Sequence, residues 1–404
     1  MFRILTLSFL TSLFSLLTYA ASSTSFARGA DISWCTEMEA DGKTFRNADG
    51  QQRDIFLLMK EIGMNAIRLR VWVNPQRFGY GPWCDKTDVL AKARRAHAQG
   101  LDLLIDFHYS DFFADPGRQN TPLDWNGYTT QQLTTAVAQH TKDILQALKD
   151  EGITPRWVQV GNETNNGMIW DAGKINWNLS GSARFNDYAR LSNAAYDAVK
   201  QIMPETQVII HYAGAYNAAA WNCWFFNDFL AAGGKFDIIG LSHYPDYNNW
   251  NSDNDDAVSN ANAAKNIKGL TQQLHVPVMI VETGYSAYDT QRAATVMSDL
   301  YNKIKDIPLC IGLFYWEPEV DGQWKPAYYK TVGWNAYSMG AFTTDGRPTP
   351  VLDIFKGEAD GISHTATRPT TEVQCYDLQG RPLTAPRPGL IIKRNALYLN
   401  PRNI

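Results

Sequence analysis

Apolar and β-branched residues fall along this chain in short, nearly continuous runs, separated by longer stretches where apolar positions recur every three or four residues. The short runs suit buried strands and the longer period suits amphipathic helices. Eight strands are expected, at "GADISW" (29–34), "AIRLRVWV" (66–73), "LDLLIDFH" (101–108), "RWVQVGNE" (156–163), "TQVIIHYA" (206–213), "FDIIGLSHY" (236–244), "VPVMIVET" (276–283) and "CIGLFYWE" (310–317). Between them, "RDIFLLMKEIG" puts Ile55, Leu58, Met59 and Ile62 on one helical face, with Gly63 as a stop. "FNDYARLSNAAYDAVKQIMP" aligns Phe185, Tyr188, Ala195, Val199 and Ile202 before Pro204. "KTDVLAKARRAHAQG" offers Thr87 as an N-cap and Gly100 beyond its end.

Eight strand-helix units predict an α/β fold, a (β/α)8 TIM barrel with enlarged βα loops. Near-continuous apolar strands suit a parallel sheet covered on both faces. An open doubly wound sheet is the alternative, but no GxGxxG follows the first strand. After Gly357 the texture turns rich in Pro, Thr and turn residues, with two β-like runs, "EVQCYDLQG" and "GLIIKRNALYL". The expected division is a signal peptide at 1–20, a catalytic barrel at 21–358, and a linker with a short β-rich tail at 359–404.

The N-terminus sharpens this picture. Arg3, an apolar run over 4–17 and the Thr18-Tyr19-Ala20 site fit a cleaved export signal, and the run is short for a bilayer span. No later segment has the apolar character of a membrane span, so the mature chain is expected outside the cytoplasm: extracellular, on the cell surface or periplasmic. A net charge of −4 without a basic stripe argues against nucleic acid and anionic membranes as partners. The five cysteines show no CxxC spacing and read as buried thiols rather than a metal site. Thirteen Trp and nineteen Tyr supply flat faces that suit sugars as well as other amphipathic ligands.

In such barrels the working residues lie at the C-terminal strand ends. Those ends carry His108, Asn162 with Glu163, His243 with Tyr244, Glu282, and Trp316. There is no phosphate-binding glycine loop, GxSxG elbow or HExxH. On its own, Asn162-Glu163 reads as a helix cap. With Glu282 across the mouth it reads as half of a carboxylate pair, the requirement for cleaving a glycosidic bond. Glu163 is then the acid, and Glu282, kept ionised by Arg68 and a hydrogen bond from Tyr244, either attacks the anomeric carbon with retention or leaves room for an attacking water with inversion, according to the separation of the two carboxyl groups. Asn162 is expected on a sugar hydroxyl and Trp316 under a sugar ring. His108 and His243 stand on the rim; Asp111, Asp115 and Trp125 belong to the long loop after strand three. Of Arg68 and Arg70, one is expected to point inward, with Arg68 preferred. "NSDNDDAVSN" (251–260) reads as a cap from Asp255 or Asp256 rather than a calcium loop.

"GADISWCTEME", "IRLRVWVNP", "DFHYSDFFADPGRQ", "WVQVGNETNNGMIW", "ETGYS" and "FYWEP" together resemble the endo-β-1,4-galactanases (arabinogalactan endo-β-1,4-galactosidases), retaining glycoside hydrolases on (β/α)8 barrels. The resemblance spans most of 28–355. It implies that the Glu of "VGNE" is the acid/base and the Glu of "ETGY" the nucleophile, here Glu163 and Glu282. It also implies a β-1,4-galactan polysaccharide substrate, a monomer, and no required cofactor. Calcium, bound by some relatives in the loop after strand eight, would here meet Glu319 and Asp321. The family's "YYPFW" after strand six is replaced by "SHYPDYNNW", with Asp246 and Tyr247 in the altered positions. The rival readings are the same mechanism on mannan or glucan, and a glycan-binding barrel without hydrolysis.

Overall fold

The computed structural model describes residues 25–216, 223–245 and 256–356, together with four short strands near the C-terminus. The proposed signal segment, Asp246, Tyr247 and Asp255 lie outside the described residues. The chain divides into two units, Met1–Gly357 and Glu358–Ile404. In the second, Cys375–Tyr376, Pro382–Leu383, Gly389–Lys393 and Ala396–Asn400 form an antiparallel sheet. The run "GLIIKRNALYL" thus supplies two strands, paired with each other, rather than one.

In the first unit, eight parallel strands close into a barrel. They are β1 (Ala27–Asp31), β2 (Ala66–Val71), β3 (Asp102–Phe107), β4 (Trp157–Val160), β5 (Gln207–Ala213), β6 (Ile238–His243), β7 (Val278–Thr283) and β8 (Cys310–Trp316). Each expected strand is present, trimmed where the loops begin, except that β1 also starts two residues before its expected position. The helices between them are α1 (Ile55–Ile62), α2 (Lys86–Ala98), α3 (Thr130–Asp150), α4 (Asn186–Ile202), α5 (Trp224–Ala231), α6 (Asp256–Leu274) and α7 (Thr290–Ile304). A 3-10 turn, Pro350–Phe355, follows β8. None of these described helices is long and apolar enough to cross a membrane. The cap of α2 is Asp85, not Thr87: its carboxylate accepts the Asp88 N–H at 3.0 Å, while Thr87 lies inside the helix.

The barrel interior is layered, because alternate residues of a strand share a face. Toward the N-terminal ends it is apolar, filled by Ala27, Ala66, Leu104, Trp157, Ile209, Met279, Val281 and Phe314. Room for the large rings comes from small neighbours. A Cβ on Gly29 would lie 2.3 Å from the Phe314 ring, and one on Gly312 would lie 2.7 Å from Ala27. Two residues further along each strand the inward positions turn polar: Asp31, Arg68, Asp106, Gln159, His211 and Ser242, from β1 to β6 in order. All are buried.

A bulge completes this layer. Leu241 pairs with Ile280, but the next residue, Ser242, pairs with Glu282, so Val281 is the extra residue. Val281 remains in the apolar interior cluster. The inserted residue reverses the alternation and turns Glu282 inward as well.

Candidate active site

The polar layer is one hydrogen-bonded network centred on Arg68. Its guanidinium donates to Asp31 Oδ2 at 2.7 Å, Asp106 Oδ2 at 2.8 Å and Asn162 Oδ1 at 2.9 Å, and pairs with Glu282 Oε1 at 2.8 Å. Burial alone would lower its proton affinity, but Asp106, Glu282 and Asp31 raise it further, so it stays charged. Arg70 is inward as well, since positions two apart share a face, and both arginines are fully buried. Arg70 pairs with Glu317 and lies 4.8–5.2 Å from the ring centroids of Trp34, Trp72 and Phe113. It braces the wall beside the mouth.

Adjacent residues of a regular strand face opposite ways, so Asn162 and Glu163 can serve one site only if the strand breaks. It does. Gly161 has φ +85° and Glu163 has φ +46°, both in the left-handed region that non-glycine residues rarely adopt. Neighbours hold the turn: Glu163 N–H donates to His211 Nδ1 at 3.1 Å and Thr164 N–H to the His211 carbonyl at 2.9 Å. Asn162 Nδ2 donates to the Ala114 carbonyl at 2.7 Å.

Glu163 and Glu282 line one cavity of about 480 Å³. Their surroundings differ. Glu282 receives the Arg68 ion pair on Oε1 and the Tyr244 hydroxyl on Oε2 at 3.1 Å. Burial raises its proton affinity to about 7, with Arg68 and Tyr244 pulling the other way. Among the described residues, the Glu163 carboxylate accepts one hydrogen bond, from Ser242 Oγ at 2.6 Å. Burial and the charge of Glu282 push it up to about 8. The two carboxylates raise and split each other's proton affinity, and the one beside arginine gives up its proton first.

His108, Asn162, Asp115, Tyr244 and Trp316 also line this cavity. His108 accepts the Ala114 N–H on Nδ1 and donates from Nε2 to Asp106 at 2.9 Å, fixing its tautomer. Four expected residues do not line it: Arg68 reaches it only through its ion pair with Glu282, and the other three are engaged elsewhere. Asp111 is buried, and its carboxylate accepts the Asn74 and Leu123 N–H groups, tying two loops together. Trp125 is packed in the core against His140. His243 has the wrong parity on β6: it faces outward to Asn260, at 2.9 Å, and burial lowers its proton affinity to about 4.

Other cavity residues were not anticipated. Ser242 is two positions before Tyr244, and the same alternation that excludes His243 identifies it. The segment after β8 contributes Tyr329, Trp334, Tyr337 and Met339, with Phe113 opposite. Tyr337 meets Trp316 edge-on at 4.7 Å. That segment has no strand or long-helix period, so its aromatics carry no directional signal in the sequence.

Among the described residues, no group of three or more His, Cys, Asp or Glu is placed to hold a metal. Asp321 is instead paired with the Lys43 ammonium at 2.9 Å and accepts the Trp324 N–H. The cysteines described in the barrel unit, Cys35, Cys84, Cys223 and Cys310, are buried free thiols.

Residues 27–355 match the family model described as Glycosyl hydrolase family 53. The chain is 31% identical over 334 residues to a probable arabinogalactan endo-β-1,4-galactanase A of Neosartorya fischeri, covering 76% of this chain and 88% of that one. It is 30% identical over 370 residues to an arabinogalactan endo-β-1,4-galactanase of Cellvibrio japonicus, covering 84% and 93%. Among solved structures, the catalytic domain of an Ignisphaera aggregans member of the family aligns with a TM-score of 0.69 at 28% identity, covering 82% of this chain and 96% of that one. A fungal β-1,4-galactanase structure aligns at 0.68 and 25%, covering 82% and 98%. Matched along its whole barrel, with two glutamates facing one cavity at the strand ends, the chain belongs to glycosyl hydrolase family 53 and is a glycoside hydrolase.

Proposed function

We propose that this chain hydrolyses internal β-1,4-galactosidic bonds of galactan and type I arabinogalactan with retention of configuration. The relatives' named activity supports the substrate. The observation that carries the chemistry is the unequal environment of two glutamates on one cavity: Arg68 and Tyr244 on Glu282, Ser242 alone on Glu163. Near neutral pH this difference favours a protonated Glu163 and an ionised Glu282, the charge states a double displacement starts from.

In the first step a Glu282 oxygen forms a bond to the anomeric carbon. The bond to the leaving sugar's oxygen breaks, and Glu163 delivers its proton to that oxygen. In the second step a water loses a proton to Glu163 and attacks the same carbon, releasing Glu282 as a carboxylate. Asn162 offers a polar contact to the bound ring, Trp316 an apolar face, and Asp115 a contact at the cavity edge; His108, with both ring nitrogens engaged, shapes the wall beside them. No cofactor enters either step. The substrate partner is the polysaccharide, and the chain acts as a monomer.

The N-terminal pattern supports export. Mass analysis of the protein recovered outside the cytoplasm should give a mature chain beginning at Ala21; recovery of intact Met1 there would contradict cleavage.

The substrate reading is tested by reducing ends released from galactan, mannan and cellulose. Release from galactan in clear excess is expected; release from mannan or cellulose alone would redirect the assignment, and binding without release would make the barrel a lectin. Glu282→Ala should lose essentially all turnover. Glu163→Ala should lose roughly 10²–10⁴-fold on galactan while retaining cleavage of aryl galactosides whose leaving groups need no proton. Equal loss on both would contradict the acid role.

Stability should carry the same signature. The Glu163 carboxyl holds its proton to about 8 when folded, against 4.5 ordinarily. Its contribution to folding is therefore full below about 4.5 and lost as pH rises through about 8, because ionising it in the folded state is the unfavourable step. Glu163→Gln cannot ionise, so its melting temperature should gain on the parent's across that window. A difference that stays constant with pH would contradict the raised proton affinity.

A further inference from the structure

The acid/base cycle requires Glu163 to present its proton from a defined oxygen. The structure holds a chain of donors that defines it, and the chain begins at the glutamate's own backbone. The Glu163 N–H is only a donor, and it points at His211 Nδ1 from 3.1 Å. Gln159 Nε2, another donor, lies 3.0 Å from the same nitrogen. Asn162 Oδ1 is also 3.0 Å away, but it already accepts from Arg68. Gln159 has two hydrogens, and its shortest bond goes to Asp106 at 2.6 Å, so the backbone N–H of Glu163 is the donor that makes Nδ1 an acceptor and leaves the His211 hydrogen on Nε2. Burial, with Arg68 and His108 nearby, keeps the ring from taking a second proton.

His211 Nε2–H then donates to Ser242 Oγ, at 2.8 Å. Having accepted there, the hydroxyl has one hydrogen to give, and Glu163 Oε1 is 2.6 Å away. The reverse arrangement, with Oε1 protonated and donating to Ser242, would leave the serine hydrogen without an acceptor among the described residues. Ser242 is 2% exposed, so such an orphan would have only the cavity it lines to turn to and little solvent compensation.

We propose that Ser242, oriented by His211, is the positioning residue for catalytic proton transfer: by donating to Glu163 Oε1 it confines the mobile proton to Oε2. In the first step Oε2 gives that proton to the leaving oxygen; in the second, Oε2 takes one from water, and Oε1 remains an acceptor throughout. The inference rests on Glu163 being the acid/base. The other ionisable groups facing Glu163 are Arg68 from β2, Asp115 from the loop after β3, Tyr244 at the end of β6 and Glu282 from β7. None of them is bonded to Oε1, so none substitutes for the serine there.

The test uses the full-length enzyme, Ser242→Ala and Ser242→Thr, with pH profiles of kcat/KM on galactan and on a dinitrophenyl β-1,4-galactobioside. For Ser242→Ala the expected result is a fall of roughly tenfold on galactan, as loss of one hydrogen bond to a charged group would give. The alkaline limb should move to higher pH, because the ionised carboxyl loses a donor. The activated aryl substrate should change by no more than about twofold, since its leaving group needs no proton. Ser242→Thr, which keeps the hydroxyl, should restore both the rate and the limb. An unmoved limb, or equal loss on the two substrates, would overturn the positioning role. Glu163→Gln is run alongside. Equal loss on both substrates in that variant would remove the acid assignment itself, a failure distinguishable from that of Ser242.

Discussion

The buried guanidinium of Arg68 is the constraint around which the site is arranged. It is wholly removed from solvent and is shared by Asp31, Asp106, Asn162 and Glu282. A buried cation without partners would be strongly destabilising, and so would any of these carboxylates without the cation. Each member therefore fixes the others. The strands beneath supply the spacing: Asp31 pairs with Arg68 across β1 and β2, and the bulge on β7 brings Glu282 opposite Ser242. The barrel contributes rigid positions rather than chemistry, and its apolar lower half excludes the water that would otherwise screen these charges.

From this arrangement follows the division between the two glutamates. Glu282 is buried and Glu163 half-buried, and the charge of Glu282 disfavours ionisation of Glu163. One has an arginine and a phenol, and the other has a serine. Burial of Tyr244 beside Glu282 raises its proton affinity well above the ordinary value, so it remains a donor. The asymmetry thus comes from partners drawn from β2 and from β6 with the residue after it, while Glu163 stands in the turn after β4 and Glu282 on β7. The left-handed backbone at Glu163 belongs to the same design, since a regular strand would turn either Asn162 or Glu163 away from the mouth.

Much of this is legible in the sequence, and what escapes does so for definable reasons. Strands of period two and helices of period 3.6 are local signals, and all eight strands stand where the apolar runs place them. Glu163, Glu282, Asn162, Arg68 and Tyr244 come together because barrel topology gathers strand ends. Parity, applied strictly, would also have selected Ser242 over His243 and placed Arg70 inward beside Arg68. The bulge at Val281 breaks parity, and no single residue in "VMIVET" announces it. Loops are harder still. Asp111 and Trp125 are polar and aromatic, as a subsite would be, yet one ties loop backbone and the other fills the core. Trp334 and Tyr337 line the cavity from a segment without any periodicity.

In the proposed mechanism the arginine-held carboxylate, and not its neighbour, becomes bonded to the sugar. A 2-deoxy-2-fluoro-β-1,4-galactobiosyl fluoride slows breakdown of such an intermediate more than its formation, which allows peptide mapping of the trapped enzyme by mass spectrometry. A single 2-deoxy-2-fluoro-galactobiosyl adduct on Glu282 is expected. An adduct on Glu163, or turnover by way of a product of inverted configuration, would contradict it.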